Sequence, residues 1–256
     1  MPPPLAFVRT VPDSFANALT SIATAEAIDV KLARTQHGEY VTCLAEGGYD
    51  IEWLPTPPAF PDGPFVEDVA LMLTGTVVLT RPGAPSRRGE VAGVGGALAD
   101  RFEIRAIEAP GTLEGGDVLR VANRLYVGRS SRTNDDGIRQ LTAIAAEHGI
   151  ETIPVSVRDT LHLKTAVTAL DPNTLVAAPG HFAPGSFSGL RVLWLDGESE
   201  VNVLTLPDGR ILIPASKDIL AAAVATEGFQ VVTVDVSEFE KADGGLTCLS
   251  LRSNDG

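Results

Sequence analysis

One pattern constrains this 256-residue chain more than any other: strand, strand, helix, strand recurs at a spacing of roughly fifty residues, with no linker or low-complexity break between repeats. Short apolar alternations predict strands at 5–8, 50–54, 69–73, 76–80, 103–107, 118–121, 125–127 and 152–157. Further strands are expected at 166–170, 174–177, 191–195, 201–206, 210–213 and 230–234, with a last one through Cys248. Helices interrupt them. Val30, Ala33, His37, Val41 and Leu44 recur at three- and four-residue steps within a helix from about 26 to 46, stopped by Gly47-Gly48. Others are expected at about 90–101, from the capping residue Asn134 to His148 with Gly149 beyond it, and at 216–227 closed by Gly228. This repetition suggests an α/β chain folded as one radially repeated domain spanning residues 1–256, not two domains in series.

The remaining bulk properties exclude whole classes of function. Net charge is −13, with 33 acidic residues against 20 basic ones. A nucleic-acid ligand needs a basic face that displaces counterions, so none is expected. No apolar run approaches the roughly 20 residues that span a bilayer, and Met1-Pro2-Pro3-Pro4 lacks the basic region of a secretory signal. Cys43 and Cys248 make no disulfide framework, and no Cys/His cluster has zinc spacing, so a soluble protein of a reducing, cytoplasmic compartment is expected. Gly93-Val94-Gly95-Gly96 looks like a dinucleotide fingerprint, but it lies inside a helical pattern and not in a strand-to-helix turn. His37 and Cys43 read as core, His148 as a helix cap, and His181 carries no assignable chemistry.

What remains is chemically suggestive. In Asp243-Gly244-Gly245-Leu246-Thr247-Cys248 a cysteine follows two glycines and opens a short apolar run, which predicts a tight turn into a strand with the thiol at its lip. A lone cysteine ordinarily packs as a small hydrophobe, and loop acids ordinarily cap turns or face water. His162 between two leucines reads equally as a core histidine, and Arg87 and Arg132 as surface residues. Together they pose a chemical question. Asp62, Glu67, Asp68, Glu114 and Asp117 all lie in Gly- or Pro-punctuated loops, and carboxylates around a thiol suppress its ionisation. That combination makes sense if the electrophile is itself a cation held by the acids, and a planar guanidinium matches carboxylate oxygens.

Six separated stretches carry a resemblance. They are Phe60-Pro61-Asp62 with Phe65-Val66-Glu67-Asp68, Thr80-Arg81-Pro82-Gly83 through Glu90, Glu114-Gly115-Gly116-Asp117, Arg132-Thr133-Asn134, Leu161-His162-Leu163-Lys164-Thr165, and Asp243 to Cys248. In order and approximate spacing, over nearly the whole chain, they resemble the dimethylarginine dimethylaminohydrolases. The resemblance implies the pentein fold, a five-bladed α/β propeller of ββαβ-type modules with pseudo-fivefold symmetry. It implies hydrolysis of N-omega-methylated arginines to citrulline and a methylamine, with Cys248 as nucleophile, His162 as general acid/base and Glu114 as the carboxylate on the guanidinium. By the same resemblance Asp68 is its partner, Asp62, Glu67 and Phe65 belong to the pocket, Arg87 and Arg132 take the α-carboxylate, Leu19 and Ala242 bind the α-amine through backbone carbonyls, and Asp243 is a further substrate-binding residue. It implies a small-molecule partner and no cofactor, and it allows a homodimer. Gly63-Pro64 and Gly115 depart from the family's usual residues. Deiminase chemistry on free arginine and non-catalytic binding of a guanidino compound stay open beside it.

Overall fold

The computed structural model describes residues 3–21 and 27–253. Along the chain come β1 (Leu5–Val8), α1 (Val30–Glu46) and β2 (Asp50–Trp53), then β3 (Ala70–Leu73), β4 (Thr76–Leu79), α2 (Val91–Leu98) and β5 (Glu103–Ala106). These are followed by β6 (Val118–Val121), β7 (Arg124–Arg129), α3 (Asp135–Glu147), β8 (Glu151–Ser156), the one-turn helix α4 (Leu163–Ala166), β9 (Val167–Ala169), β10 (Thr174–Ala177) and β11 (Arg191–Trp194). The chain ends with β12 (Leu204–Thr205), β13 (Ile211–Pro214), α5 (Asp218–Thr226), β14 (Val231–Val234), α6 (Ser237–Glu240) and β15 (Leu251–Arg252).

These strands form five three-stranded sheets with one topology. In each, the middle strand pairs antiparallel with one neighbour and parallel with the other, as β4 does with β3 and β5. The first sheet is completed from the far end of the chain, where β15 pairs antiparallel with β1 through Ala6↔Arg252 and Phe7↔Leu251. Ring closure therefore joins the two ends of the described chain. The expected five-bladed α/β propeller is what the strands build.

Burial separates inner and middle strands from the outer ones. β3, β10 and β13 are buried at every position, because sheets pack on both of their faces. The outer strands β2, β5 and β11 leave their end residues exposed. Apolar clusters occupy the seams between blades: one joins Leu119 and Tyr126 to Val176 and Ile213, another joins Phe7 and Leu251 to Val69 and Val77. No helix among the described residues is long and apolar enough to cross a membrane.

Local chemistry sets the helix ends. Asp29 caps α1 by accepting from the backbone N–H groups of Lys31 (2.9 Å) and Leu32 (3.1 Å), so the helix begins at Val30; the expected start near 26 lies outside the described residues. Asn134 caps α3 by accepting from Gly137 N–H (2.9 Å), as its position predicts. His37 is buried on α1, where loss of solvation lowers its pKa to about 4, so it sits neutral in the core.

Three expectations are corrected. Between β10 and β11 no helix forms in this blade; residues 178–190 make a looped crossover whose Phe182 and Phe187 fill the seam instead. The strand expected at 201–206 shrinks to β12, because Val201 N–H donates to Thr165 O (2.9 Å) and Val203 N–H to Thr168 Oγ1 (3.2 Å), outside any ladder. Cys248 lies on a 3₁₀ turn, Leu246–Leu249, and not in a strand.

Candidate active site

Each blade's first strand is preceded by a turn, and these turns converge at one end of the ring. Blade two brings Glu67 and Asp68 on the turn Val66–Val69. Blade three brings Glu114 and the turn Gly115–Asp117. Blade four brings His162 and Lys164 at α4, and blade one brings Cys248. Short strands need turn chemistry at their ends, and turn ends are where side chains escape packing. A cavity of about 150 Å³ lies among them, lined by Asp62, Phe65, Asp68, Arg87, Glu114, Arg132, His162, Ala242, Asp243, Cys248 and the segment Leu19 to Ser21.

The acids are held by directed bonds. Asp68 Oδ1 accepts from Gly116 N–H (2.9 Å) and Oδ2 from Arg87 Nη1 (2.6 Å). Burial alone would raise its pKa, but the positive charges of His162 and Arg87 outweigh it and hold Asp68 below the usual carboxylate range. Glu114 Oε2 meets His162 Nε2 at 2.7 Å, while Oε1 accepts from Ala84 N–H (3.1 Å) and Arg132 Nη1 (3.4 Å). Its pKa is also lowered, burial again being overcome, here mainly by the bond from His162. For His162, burial opposes the charge, yet Asp68, Glu114 and Asp117 raise its pKa to about 9, so the ring carries a proton at neutral pH. Cys248 goes the other way. Burial, then the charges of Asp68 and Glu67, push its pKa up to about 12, so the resting thiol is neutral.

Two glycines make the geometry fit. A Cβ on Gly116 would lie 2.6 Å from His162 Nδ1 and 3.0 Å from Asp68 Oδ1. Gly116→Ala is therefore expected to push the imidazole off Glu114 and lower kcat about 10²-fold, the cost of a misplacement near 1 Å; steady-state kinetics beside a thermal melt check it, and a variant with parental kcat shows that the ring has room to yield. A Cβ on Gly244 would lie 2.3 Å from the Phe65 ring, so that glycine lets the aromatic ring close one wall. Its neighbour Asp243 takes the left-handed conformation, φ 57°, which Asp tolerates through its short polar side chain.

Asp62 and Asp243 bind the segment that covers the cavity. Leu19 N–H donates to Asp62 Oδ1 (3.0 Å), and Ser21 N–H to Asp243 Oδ2 (2.6 Å). Asp62 is buried, and that desolvation raises its pKa despite Arg87 nearby.

Not every expected residue faces the cavity. Glu67 lies outside its lining: Oε1 is taken by Lys164 Nζ (2.5 Å) and Arg252 Nη2 (2.9 Å). Arg87 does line it, but most of its guanidinium serves the protein. Nε and Nη2 both reach Glu90 at 3.0 Å, Nη1 reaches Asp68, and Nη2 also reaches the carbonyls of Phe65 (2.9 Å) and Asp62 (3.3 Å). Arg132 is the more available cation, about a quarter exposed. Sequence reasoning missed Glu90, Lys164 and Leu161, although all three sit inside the quoted stretches. Asp117, singled out there as a loop acid, is a fastener: it accepts from Ser130 Oγ (2.6 Å) and Leu163 N–H (2.9 Å), fixing the residue after His162.

The ligand atoms of Asp68, Glu114 and His162 lie within 4.8 Å of one another, a set that could enclose a metal ion. Every one of these groups is already committed to Arg87, Arg132 or its partner in the set, so an entering metal ion would compete with built-in cations. Hydrogen-bond donors arranged in a plane, such as a guanidinium offers, suit the remaining carboxylate lone pairs better.

Comparison with known proteins follows the same lines. Residues 65–192 match the family model for arginine deiminase. The chain is 36% identical over 249 residues to N(G),N(G)-dimethylarginine dimethylaminohydrolase of Pseudomonas aeruginosa, covering 95% of this chain and 97% of that one. It is 40% identical over 257 residues to the enzyme of the same name from Streptomyces coelicolor, covering 98% of both. The crystal structure of the Pseudomonas protein, a cysteine-to-serine mutant complexed with citrulline, superposes with a TM-score of 0.93 at 35% identity over 99% of this chain and all of that one. Sharing its fold with that structure and its sequence with these relatives over nearly their whole length, the chain belongs to the dimethylarginine dimethylaminohydrolase family.

Proposed function

We propose that this protein hydrolyses N-omega-methylated arginines, asymmetric dimethylarginine and monomethylarginine, to citrulline and dimethylamine or methylamine. One observation carries the reading: a neutral thiol and a protonated imidazole face the same cavity, beside two carboxylates held ionised. A thiol so suppressed is useful when the substrate brings its own positive charge.

In the proposed reaction Asp68 and Glu114 hold the guanidinium, and its charge helps Cys248 lose its proton to solvent, since His162 already carries one. The sulfur attacks the guanidinium carbon, forming the C–S bond. His162 gives its proton to the methylated nitrogen, the C–N bond breaks, and the amine departs, leaving a thiouronium on Cys248. The now neutral His162 takes a proton from water as the oxygen adds to the same carbon. The C–S bond then breaks as the added hydroxyl gives up its proton to the departing sulfur, which restores the Cys248 thiol, and citrulline remains with its ureido carbonyl formed. Arg132, with Arg87 behind it, is assigned to the α-carboxylate, and Asp62, Asp243, Ala242 and Leu19 to the amine end. The chain would act as one catalytic unit closed by the β15–β1 pair, and a cytoplasmic setting suits a free catalytic thiol.

The test is product analysis with asymmetric dimethylarginine, monomethylarginine and arginine supplied separately. Citrulline with dimethylamine from the first, and little from arginine, is the expected result. Ammonia from arginine as the main product would instead favour deiminase chemistry, the name of the family model that matches residues 65–192. Bound ligand without any product would leave a guanidino-binding protein.

A further inference from the structure

Blade five also sends a residue to the ring of turns, and the reaction above gives it no task. We infer that Asn202 is a positioning residue that holds the Cys248 turn in register with the His162 turn; the proposal builds on the hydrolytic reading of this site. Asn202 lies two residues before β12, as Asp68 lies before β3 and Gly116 before β6. It occupies the same place in the repeat as Asp68, which lines the cavity, and as Gly116, which packs against His162. Its own side chain, however, lines a smaller cleft of about 40 Å³ that also reaches Cys248 and His162.

Both ends of the Asn202 amide are used. Oδ1 accepts from Thr247 N–H (3.0 Å), while Nδ2 donates to Thr247 Oγ1 (3.0 Å) and to Lys164 O (2.9 Å). Thr247 immediately precedes the nucleophile, and Lys164 follows His162 by two residues. One planar group thus bonds simultaneously to the turn carrying the sulfur and the turn carrying the imidazole. Gly245 permits the close fit, since a Cβ there would lie 2.6 Å from Asn202 Cγ and Oδ1.

The backbone behind this amide is braced against blade four. Val201 N–H donates to Thr165 O (2.9 Å), Thr168 Oγ1 donates to Val201 O (2.9 Å), and Val203 N–H donates to Thr168 Oγ1 (3.2 Å). Asn202 therefore stands on the frame of the His162 blade and reaches across to the Cys248 blade. Only an amide supplies an acceptor for Thr247 N–H and donors for the two oxygens from one group. A carboxylate offers no donor, and Gln is a methylene too long for the space against Gly245.

Asn202→Ala and Asn202→Leu are compared with the parent protein. With dimethylarginine as substrate, kcat is expected to fall about 10- to 100-fold while KM stays within about threefold, because Asn202 itself does not line the substrate's cavity. Alkylation of Cys248 by iodoacetamide without substrate, followed by peptide mass mapping that separates it from the free Cys43, is expected to accelerate at least about threefold as the turn loosens. Parental kcat together with a parental alkylation rate overturns the proposal. So does a loss of kcat that merely tracks the loss of titratable, folded protein. A parent that turns over no guanidino compound defeats the hydrolytic reading, yet the alkylation comparison still decides whether Asn202 positions the thiol. Should the Asn202 variants not fold, Thr247→Val removes one acceptor and keeps the Thr247 N–H; smaller changes of the same sign support the tether, and unchanged values overturn it.

Discussion

Cys248→Ser is expected to abolish turnover, lowering kcat by about 10⁴-fold or more, while ligand affinity stays within about threefold of the parent. The two effects separate because the residues that hold the substrate are not the residue that attacks it. Asp68 and Glu114 keep their bonds to Arg87, Gly116 and His162 whether position 248 carries sulfur or oxygen. A hydroxyl cannot replace the thiol here. Its own proton is far harder to remove, and the nearest imidazole, His162, is already protonated with a pKa of about 9 and cannot act as base before the amine leaves. Calorimetric titration with citrulline or dimethylarginine, beside single-turnover kinetics, makes the check. Residual turnover within tenfold of the parent would show that Cys248 is not the nucleophile.

His162→Asn is expected to cost about 10²- to 10⁴-fold in kcat, the usual range for a lost general acid and base. It also carries a signature in stability that a bystander would not. In the folded protein burial opposes the imidazolium, but Asp68, Glu114 and Asp117 raise its pKa to about 9, against about 6.5 in an unfolded chain. A raised pKa means that the folded state binds the proton more tightly. The contribution is therefore complete below about pH 6.5 and disappears as pH rises through about 9, with a size on the order of 3 kcal/mol. The parent should lose thermal stability across that window, and the His162→Asn variant should lose distinctly less. Melting curves between pH 6 and 10 measure this. Parallel pH dependences in the two proteins would place the titrating group elsewhere.

The internal ion network gives these variants their context. Arg87 joins Asp68 to Glu90, and Arg9, fully buried behind them, donates to the Glu90 carbonyl at 3.0 Å. Removing one partner of a buried pair leaves the other charge uncompensated. Through Arg87 the network thus supplies rigidity to Asp68, whose alignment the reaction needs, from Glu90 and Arg9, which do not line the cavity.

Much of this was legible before any coordinates. The repeated strand-strand-helix-strand order follows from local alternation and turn residues; all five sheets share its strand pairing, and four of the five blades carry the helix. Asn134 before an apolar periodicity and Gly149 after it bracket α3 because capping is a local affair of side chain and backbone. Cys248, Glu114, Asp68 and Asp62 stand in stretches that glycines or prolines punctuate, whereas His162 has neither beside it and is assigned only through the family resemblance of its stretch. The tertiary structure decided everything that depends on which charge meets which. Glu67 and Asp68 are adjacent and chemically alike, yet one is drawn to Lys164 and Arg252 while the other faces the cavity and pairs with Arg87. Asn202 sits in what reads as a strand, and only the backbone of blade four pulls it out of a ladder and against Cys248. Periodicity and capping act over a few residues and are written in sequence order; ion pairs and cross-blade hydrogen bonds are chosen by distances that exist only once β15 has closed the ring on β1.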